Sequence, residues 1–160
     1  MTVTVAKATP EHVSAILALL EEMDQFYGDT TDGTPGERAA QLRQALFSDP
    51  AGSYALIAVD GDEVVGIASW SFLWPAVGLT SSLYLKELYV SRLHRRSGVG
   101  TVLMRAVFEA AAKHQCSRVE WTTDIDNSDA QEFYAKFGFQ QLVTKVFFRA
   151  DAARIARGIR

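Results

Sequence analysis

Cysteine, long apolar runs and net charge are all scarce in this 160-residue sequence. Cys116 is the single cysteine, so the chain can form no internal disulfide and we expect a reducing, cytoplasmic compartment; Cys116 itself fits a small apolar packing residue. No apolar run approaches the ~18 residues of a membrane-spanning helix, and the N-terminus lacks a secretory pattern, so no membrane association is expected. The net charge of -3 gives no reason to expect a nucleic-acid partner.

The overall composition is that of an ordinary globular protein. Hydrophobic residues make up 48% of the chain and charged residues 22%, a balance that argues against disorder. The length suits one domain with a real core. We therefore predict a single domain over residues 1–150, followed by a short basic tail at 151–160.

A glycine-containing turn at residues 95–100 is the most informative stretch of the sequence. It reads Arg-Arg-Ser-Gly-Val-Gly, follows an apolar strand-like run at 83–90, and leads into a helical pattern from Gly98 to about Gln115. The first N–H groups of a helix have no partner within the helix and lie at the positive end of its dipole. With two arginines beside it, such a turn is suited to a phosphate.

This turn differs from the two most familiar phosphate-binding patterns. It lacks the Lys-Ser/Thr ending of the Walker loop. The dinucleotide fingerprint needs a third glycine at position 103, which is Leu103 here. Glycines that merely end a strand, with arginines decorating a loop, are the simpler alternative.

The order of predicted elements brings the turn into a mixed sheet. Alternation, helical periodicity and turn residues predict the following series: a strand at 3–8, a helix opened by Thr9 and Pro10, a helix at 34–47, strands at 53–59, 63–74 and 81–90, a helix at 98–115, a strand at 118–123, a helix at 128–137 capped by Ser128, and a strand at 144–149. Hairpins make the early strands antiparallel. The helix that links 81–90 to 118–123 makes these two strands parallel neighbours.

Two separate motifs resemble the GNAT superfamily of acetyl-CoA-dependent N-acetyltransferases. The first is R-x-x-G-x-G at 95–100, preceded by Glu87-Leu-Tyr-Val90 at the end of a strand. The second is N-x-x-A-x-x-F-Y-x-x-x-G-F at 127–139. The resemblance implies the α/β GNAT fold: a central, mixed and mostly antiparallel sheet with one splayed parallel strand pair, flanked by about four helices.

The resemblance also implies acetyl-CoA as co-substrate, with no metal. The residues that it places along the co-substrate are Leu88, Tyr89, Val90, Arg95, Arg96, Ser97, Gly98, Val99, Gly100, Thr101, Asn127 and Tyr134. Among them, backbone N–H groups of 88–90 would stabilise the oxyanion. Asn127 would bind the pantetheine arm, unless it is simply a helix cap.

Two residues are candidates for moving protons in acetyl transfer. Tyr134 matches the family tyrosine near the CoA sulfur, and a phenol of pKa about 10 can protonate a departing thiolate; its alternative is a packing role. Many relatives carry an acid where this chain has Lys86, and the acid lies one place on, at Glu87. Adjacent strand residues point to opposite faces. Either Glu87 is the base, or it is structural and water removes the proton.

A run of acidic residues indicates where the acceptor amine would bind. Residues 21–37 contain six acids and no lysine or arginine, and in the family the first two helices cover the acceptor. We expect candidate acceptor contacts at Glu22, Phe26, Tyr27, Trp70 and Glu87. A solvated acidic loop over a normal core is the alternative. The stretch also resembles the diamine and polyamine acetyltransferase branch, from which Lys86 departs.

Several functions remain open on these residues. The leading expectation is transfer of acetyl from acetyl-CoA to a primary amine of a small molecule (a polyamine, an aminoglycoside or an amino-acid-like compound) by direct attack in a ternary complex. The alternatives are a non-catalytic acyl-CoA-binding sensor or partner module, and a protein amine acetyltransferase. We also expect a homodimer, because relatives commonly pair and the predicted strand at 144–149 would offer a sheet edge.

Overall fold

The structure is a computed structural model that describes residues 2–30 and 32–159. Met1 and Arg160, the outer ends of the predicted domain and tail, lie outside the described residues. The chain divides into two compact units, Met1–Thr122 and Thr123–Arg160, and each is described by itself. The single-domain assignment over residues 1–150 stays a prediction.

The first unit is built on a five-stranded sheet in the order β1-β2-β3-β4-β5. Its elements are β1 (Val3–Lys7), α1 (Val13–Tyr27), α2 (Pro35–Phe47), β2 (Tyr54–Asp60), β3 (Glu63–Leu73), β4 (Ser82–Val90), α3 (Val99–Lys113) and β5 (Arg118–Glu120), with short 3-10 helices at Pro10–His12, Val77–Leu79 and Arg92–His94. Neighbouring strands are antiparallel except for the parallel pair β4–β5. The predicted mixed sheet is confirmed.

The parallel pair is short, as a splayed pair requires. β5 is paired only with Ser82, Leu83 and Tyr84 of β4. Beyond Tyr84, β4 runs on to Val90 while β5 has ended at Glu120, three residues before the predicted end. The second half of β4 therefore leaves its parallel neighbour before it reaches the glycine turn.

Helices cover both faces of the sheet. On one face, Val13, Ile16 and Leu19 of α1 and Leu42 of α2 pack in a buried cluster with Ile57 and Ile67 of the sheet. On the other face, α3 approaches β3 closely at Gly66, where an added Cβ would lie 3.0 Å from Leu103 Cδ1 and 3.1 Å from Val99 Cγ1. The sheet therefore has a face toward α1 and α2 and a face toward α3.

Local capping sets where the first two helices begin. α2 begins with a capping box, since Glu37 N–H donates to Thr34 Oγ1 at 3.3 Å and Thr34 N–H donates to Glu37 Oε2 at 2.7 Å. Pro10 instead opens a 3-10 turn, and α1 begins at Val13. Thr9 is the N-cap of this 3-10 turn and Pro10 its first residue, as predicted, so only the helix type of the first turn is corrected.

The second unit differs most from expectation. It contains α4 (Ser128–Ala135) and α5 (Ala152–Arg157), and residues 144–149 form no strand. A strand exists only where another strand satisfies its backbone hydrogen bonds, and within this unit no strand pairs with the apolar run that includes Phe148, which is 87% exposed. Within the predicted basic tail, α5 follows an Asp151 cap, to which Arg154 N–H donates at 2.7 Å.

Two further expectations change with this unit. Asn127, not Ser128, caps α4, because the Asn127 side chain accepts from Ala130 N–H at 3.1 Å. The strand edge at 144–149, on which the dimer expectation partly rested, is absent, and the homodimer stays a prediction. Among the described residues, no helix has both the length and the apolar character to cross a membrane.

Candidate active site

The glycine turn takes the geometry that an anion site needs. Gly98 adopts the left-handed conformation, φ +91°, and is the N-cap of α3. Its carbonyl accepts from Thr101 N–H at 3.0 Å and Val102 N–H at 3.2 Å. Because they lie in the first turn, the N–H groups of Val99 and Gly100 have no acceptor within the helix. A Cβ at Gly98 would meet no described atom within 4 Å, so an anion can approach this turn.

The two arginines of the turn have different surroundings. Arg95 is anchored: its Nε donates to Val90 O at 3.2 Å, and its guanidinium lies 4.2 Å from the Phe26 ring centre and 5.3 Å from that of Tyr89. Arg96 is exposed, with a positive φ of 62°. Ser97 closes the turn by donating its hydroxyl to His94 O at 2.5 Å. Arg96 is thus the arginine better placed to reach a bound anion.

Glu22 joins α1 to the end of β4. Its carboxylate accepts from Arg92 N–H at 2.7 Å, from Tyr89 OH at 3.0 Å and from Ser91 OH at 3.3 Å. Partial burial works to raise the pKa of Glu22, but these hydrogen bonds outweigh it and lower that pKa from its usual 4.5. Burial, and next the same hydrogen bond, raise the pKa of Tyr89. The carboxylate of Glu22, predicted as an acceptor contact, is therefore occupied by structural hydrogen bonds to the end of β4.

A cavity of about 390 Å³ lies between α1, α2 and the sheet. Four charged side chains contribute to its wall: Glu21 and Asp24 from α1, Arg38 from α2 and Glu87 from β4. The remainder is largely apolar, with Ile16, four leucines and Ala45 of the two helices and Ile67 of β3. Three carboxylates against one guanidinium make the cavity suitable for a small cation.

A β-bulge brings Glu87 to this cavity. Ser69 is paired with Glu87 and Trp70 with Leu85, so Lys86 is an extra residue in β4. Paired residues share a face, and Ser69 lines the cavity with Glu87. The Lys86 side chain is 68% exposed, with its Nζ 3.4 Å from Glu87 Oε1. Glu87 lies one place beyond the position where many relatives carry an acid, and the bulge makes it face the same side of the sheet as α1 and α2.

The three aromatic residues predicted to contact the acceptor do not lie together in the structure. Trp70 follows Ser69 on β3 and so faces α3; it is 6% exposed and stacks on Tyr54 at 6.0 Å. This burial removes Trp70 from the candidate acceptor wall. Phe26 contacts Arg95, and Tyr27 packs edge-on against Phe26 at 5.1 Å. Neither Phe26 nor Tyr27 lines the cavity.

Three cavity residues escaped the sequence prediction of the site. Glu21 and Asp24 belong to the acidic run at 21–37, in which the sequence prediction selected Glu22 as an acceptor contact. Arg38 is not among the predicted site residues. The signal was the helical spacing, because Leu17, Glu21 and Asp24 fall four and three residues apart and so share a face of α1. Within 2–30 and 32–159, no group of three or more His, Cys, Asp or Glu side chains is arranged to hold a metal ion.

The second unit contains the other two predicted site residues. Asn127 caps α4, and this capping role is the structural alternative to binding the pantetheine arm. Tyr134 lies on α4, half-buried, with its ring edge-on to Phe133 at 5.3 Å. Phe133 also packs against Phe137 at 5.2 Å. The ring of Tyr134 is therefore part of an aromatic cluster at the C-terminal end of α4.

Comparison with known proteins agrees with this arrangement. The sequence model of the Acetyltransferase (GNAT) family matches residues 17–139. An aminoglycoside N(6')-acetyltransferase type 1 of Serratia marcescens is 31% identical over 120 residues, which is 73% of this chain and 82% of that protein.

Two solved structures share the architecture. An integron cassette protein from the mobile metagenome of V. cholerae superposes with a TM-score of 0.87 at 27% identity, over 98% of this chain and 97% of the other. AAC(6')-Iy in complex with the bisubstrate analogue CoA-S-monomethyl-acetylneamine has a TM-score of 0.75 at 18% identity, over 95% of this chain and 100% of the other, a likeness of fold.

A mixed sheet with a glycine turn after its splayed strand is the arrangement of a class of acyl-transferring enzymes. This chain belongs to the GNAT acetyltransferase family, and it is an acyltransferase. The resemblance carried by residues 95–100 and 127–139 is thereby confirmed.

The Glu22 network gives a stability prediction. Glu22→Gln should lower the free energy of unfolding at pH 7 by about 1–2 kcal/mol, because charge-assisted hydrogen bonds are weakened. The lowered pKa makes this contribution present above about pH 4.5 and lost as the pH falls through the folded-state value. Urea unfolding at pH 7 and pH 3 should therefore show a difference from wild type that shrinks in acid.

Glu63→Gln is the matched control, since Glu63 is exposed at the start of β3. It should stay within about 0.5 kcal/mol of wild type at both pH values. A Glu22→Gln difference that is equal at pH 7 and pH 3 would contradict the assignment.

Proposed function

We propose that the protein transfers the acetyl group of acetyl-CoA to a primary amine of a small, cationic molecule. The observation that carries this proposal is the acidic cavity with Glu87 in its wall, on the strand that ends at the anion turn. The aminoglycoside acetyltransferase names of relatives support an aminoglycoside among the acceptors. Polyamines and amino-acid-like amines carry the same reacting group.

The glycine turn would bind the pyrophosphate of acetyl-CoA. Its support is the left-handed Gly98, the open space before it, and the N–H groups of Val99 and Gly100 at the start of α3. Arg96 would add a charge-assisted contact. Backbone N–H groups of 88–90, at the end of β4, would stabilise the oxyanion of the thioester.

The reaction proposed is direct attack in a ternary complex. The neutral amine nitrogen forms a bond to the thioester carbonyl carbon, and the C–S bond breaks as the intermediate collapses. Glu87, or a water molecule, takes the proton that the amine loses. Tyr134 gives its phenolic proton to the departing thiolate, an assignment that rests on its match to the family segment at 127–139.

Thiol release over an amine panel tests the function itself. With acetyl-CoA present, we expect free CoA to appear in proportion to acetylated product for at least one aminoglycoside, polyamine or amino acid with a side-chain amine. Mass spectrometry should show one added acetyl group on the amine. Tight CoA binding with no turnover on the panel would favour the sensor alternative instead.

Gly100→Val tests the anion turn. A branched side chain at the second residue of α3 should hinder the approach of phosphate and weaken CoA binding at least tenfold, about 1.4 kcal/mol, by calorimetry. The control is Gly36→Val, which makes the same change at the second residue of α2, where a Cβ meets no described atom within 4 Å. Equal CoA affinity in both folded variants would refute the turn assignment.

Tyr134→Phe tests the general acid. The ring stays and its contact with Phe133 should survive, while loss of proton donation should lower kcat by roughly 10²–10⁴ with little change in acetyl-CoA affinity. Tyr54→Phe removes a hydroxyl from the aromatic cluster on the α3 face and should leave kcat unchanged. If Tyr134→Phe retains more than about half of kcat while chemistry limits the rate, the thiolate leaves without this tyrosine.

A further inference from the structure

Arg38 is the one charge in the cavity wall that a purely cationic acceptor would not explain. The other charged groups there are the carboxylates of Glu21, Asp24 and Glu87. A guanidinium in the same wall repels an ammonium group, which costs affinity for a plain polyamine. Its partner in the wall is Glu21, and a substrate group that it also contacts would be an oxygen acceptor rather than an amine.

Among the described residues, the guanidinium of Arg38 has one side-chain partner, Glu21, for its five N–H donors. Its Nη2 lies 2.5 Å from Glu21 Oε1, and the side chain is only 17% exposed. Its Nε is buried and has no hydrogen-bond partner among the residues that the structure describes. A guanidinium presents its donors in a fork that matches oxygen acceptors. Glu21 takes an Nη2 donor, and the remaining Nη donors of this cavity-lining side chain are left for another oxygen.

We propose that Arg38 is a specificity-determining residue that binds an oxygen, hydroxyl or carboxylate, of an acceptor whose amine lies toward Glu87. This inference rests on the proposed function and narrows it. The acceptor would be an amine that carries an oxygen function a few bonds away, as amino sugars and diamino acids do. A plain alkyl diamine would offer the Arg38 donors no oxygen and would be the poorer substrate.

Three acceptors of one length isolate the oxygen. They are 1,4-diaminobutane, 1,4-diamino-2-butanol and ornithine, which is the same diamine with a carboxylate. For the wild-type enzyme we expect at least one oxygenated amine to exceed the plain diamine about tenfold in kcat/KM. The alcohol and the amino acid distinguish which oxygen Arg38 prefers.

Arg38→Lys is the informative variant. Lysine keeps the positive charge and can still pair with Glu21, but it lacks the fork, so the preference for the oxygenated amine should fall about tenfold while the plain diamine changes little. Arg43→Lys is the control on the same helix, because Arg43 is exposed and does not line the cavity. It should leave the preference unchanged.

A second variant guards against a folding defect. Glu21→Gln keeps the guanidinium fork and removes only the charge of its partner, so the preference should persist. If Arg38→Lys matches Arg43→Lys while all three amines are acetylated, Arg38 is only a structural ion-pair residue and the inference is overturned with the function intact. If the wild type prefers the plain diamine, the inference also fails. If it acetylates no amine at all, the proposed function fails first.

Discussion

The extra residue at Lys86 in β4 decides which side chains of that strand reach which side of the sheet. Leu83 and Leu85 are paired with Phe72 and Trp70 and so face α3, whereas Glu87 is paired with Ser69 on the opposite face. Strict alternation would have placed Glu87 beside the two leucines, against an apolar helix. The bulge avoids burying that carboxylate unpaired and directs it into the cavity instead.

Helix α1 serves both the glycine turn and the cavity, because successive helical residues point about 100° apart. Glu21 and Asp24 line the cavity, while Glu22 and Phe26 hold the end of β4 and Arg95. A shift of α1 would therefore disturb both places together. The hydrogen bonds of Glu22 and the stacking of Arg95 on Phe26 fix the helix against the strand that leads into the turn.

The Glu21–Arg38 pair joins α1 to α2 across the cavity, where partial burial makes a charge pair matter more than at an open surface. In the second unit the aromatic cluster is local to α4 and the turn that follows it, with Phe133 contacting both Tyr134 and Phe137. These contacts join residues that are adjacent or four apart in the chain. The spacing within residues 127–139 was therefore enough to recognise this part of the segment.

The sequence by itself determined the elements whose signals are local. The hairpin link between β2 and β3, the helix start at residue 34, the glycine turn before α3 and the helical periodicity of α1 and α3 follow from neighbouring residues, and they were predictable. Tertiary structure decided what depends on pairing. A bulge at Lys86 becomes visible only against β3, and a strand at 144–149 requires a partner that the sequence pattern does not supply. The cavity and the proposed role of Arg38 likewise depend on how distant segments pack. Glu21 and Glu22 are neighbours in one acidic run, but Glu21 pairs with Arg38 and Glu22 with Arg92 N–H, and both partners lie far away in the chain.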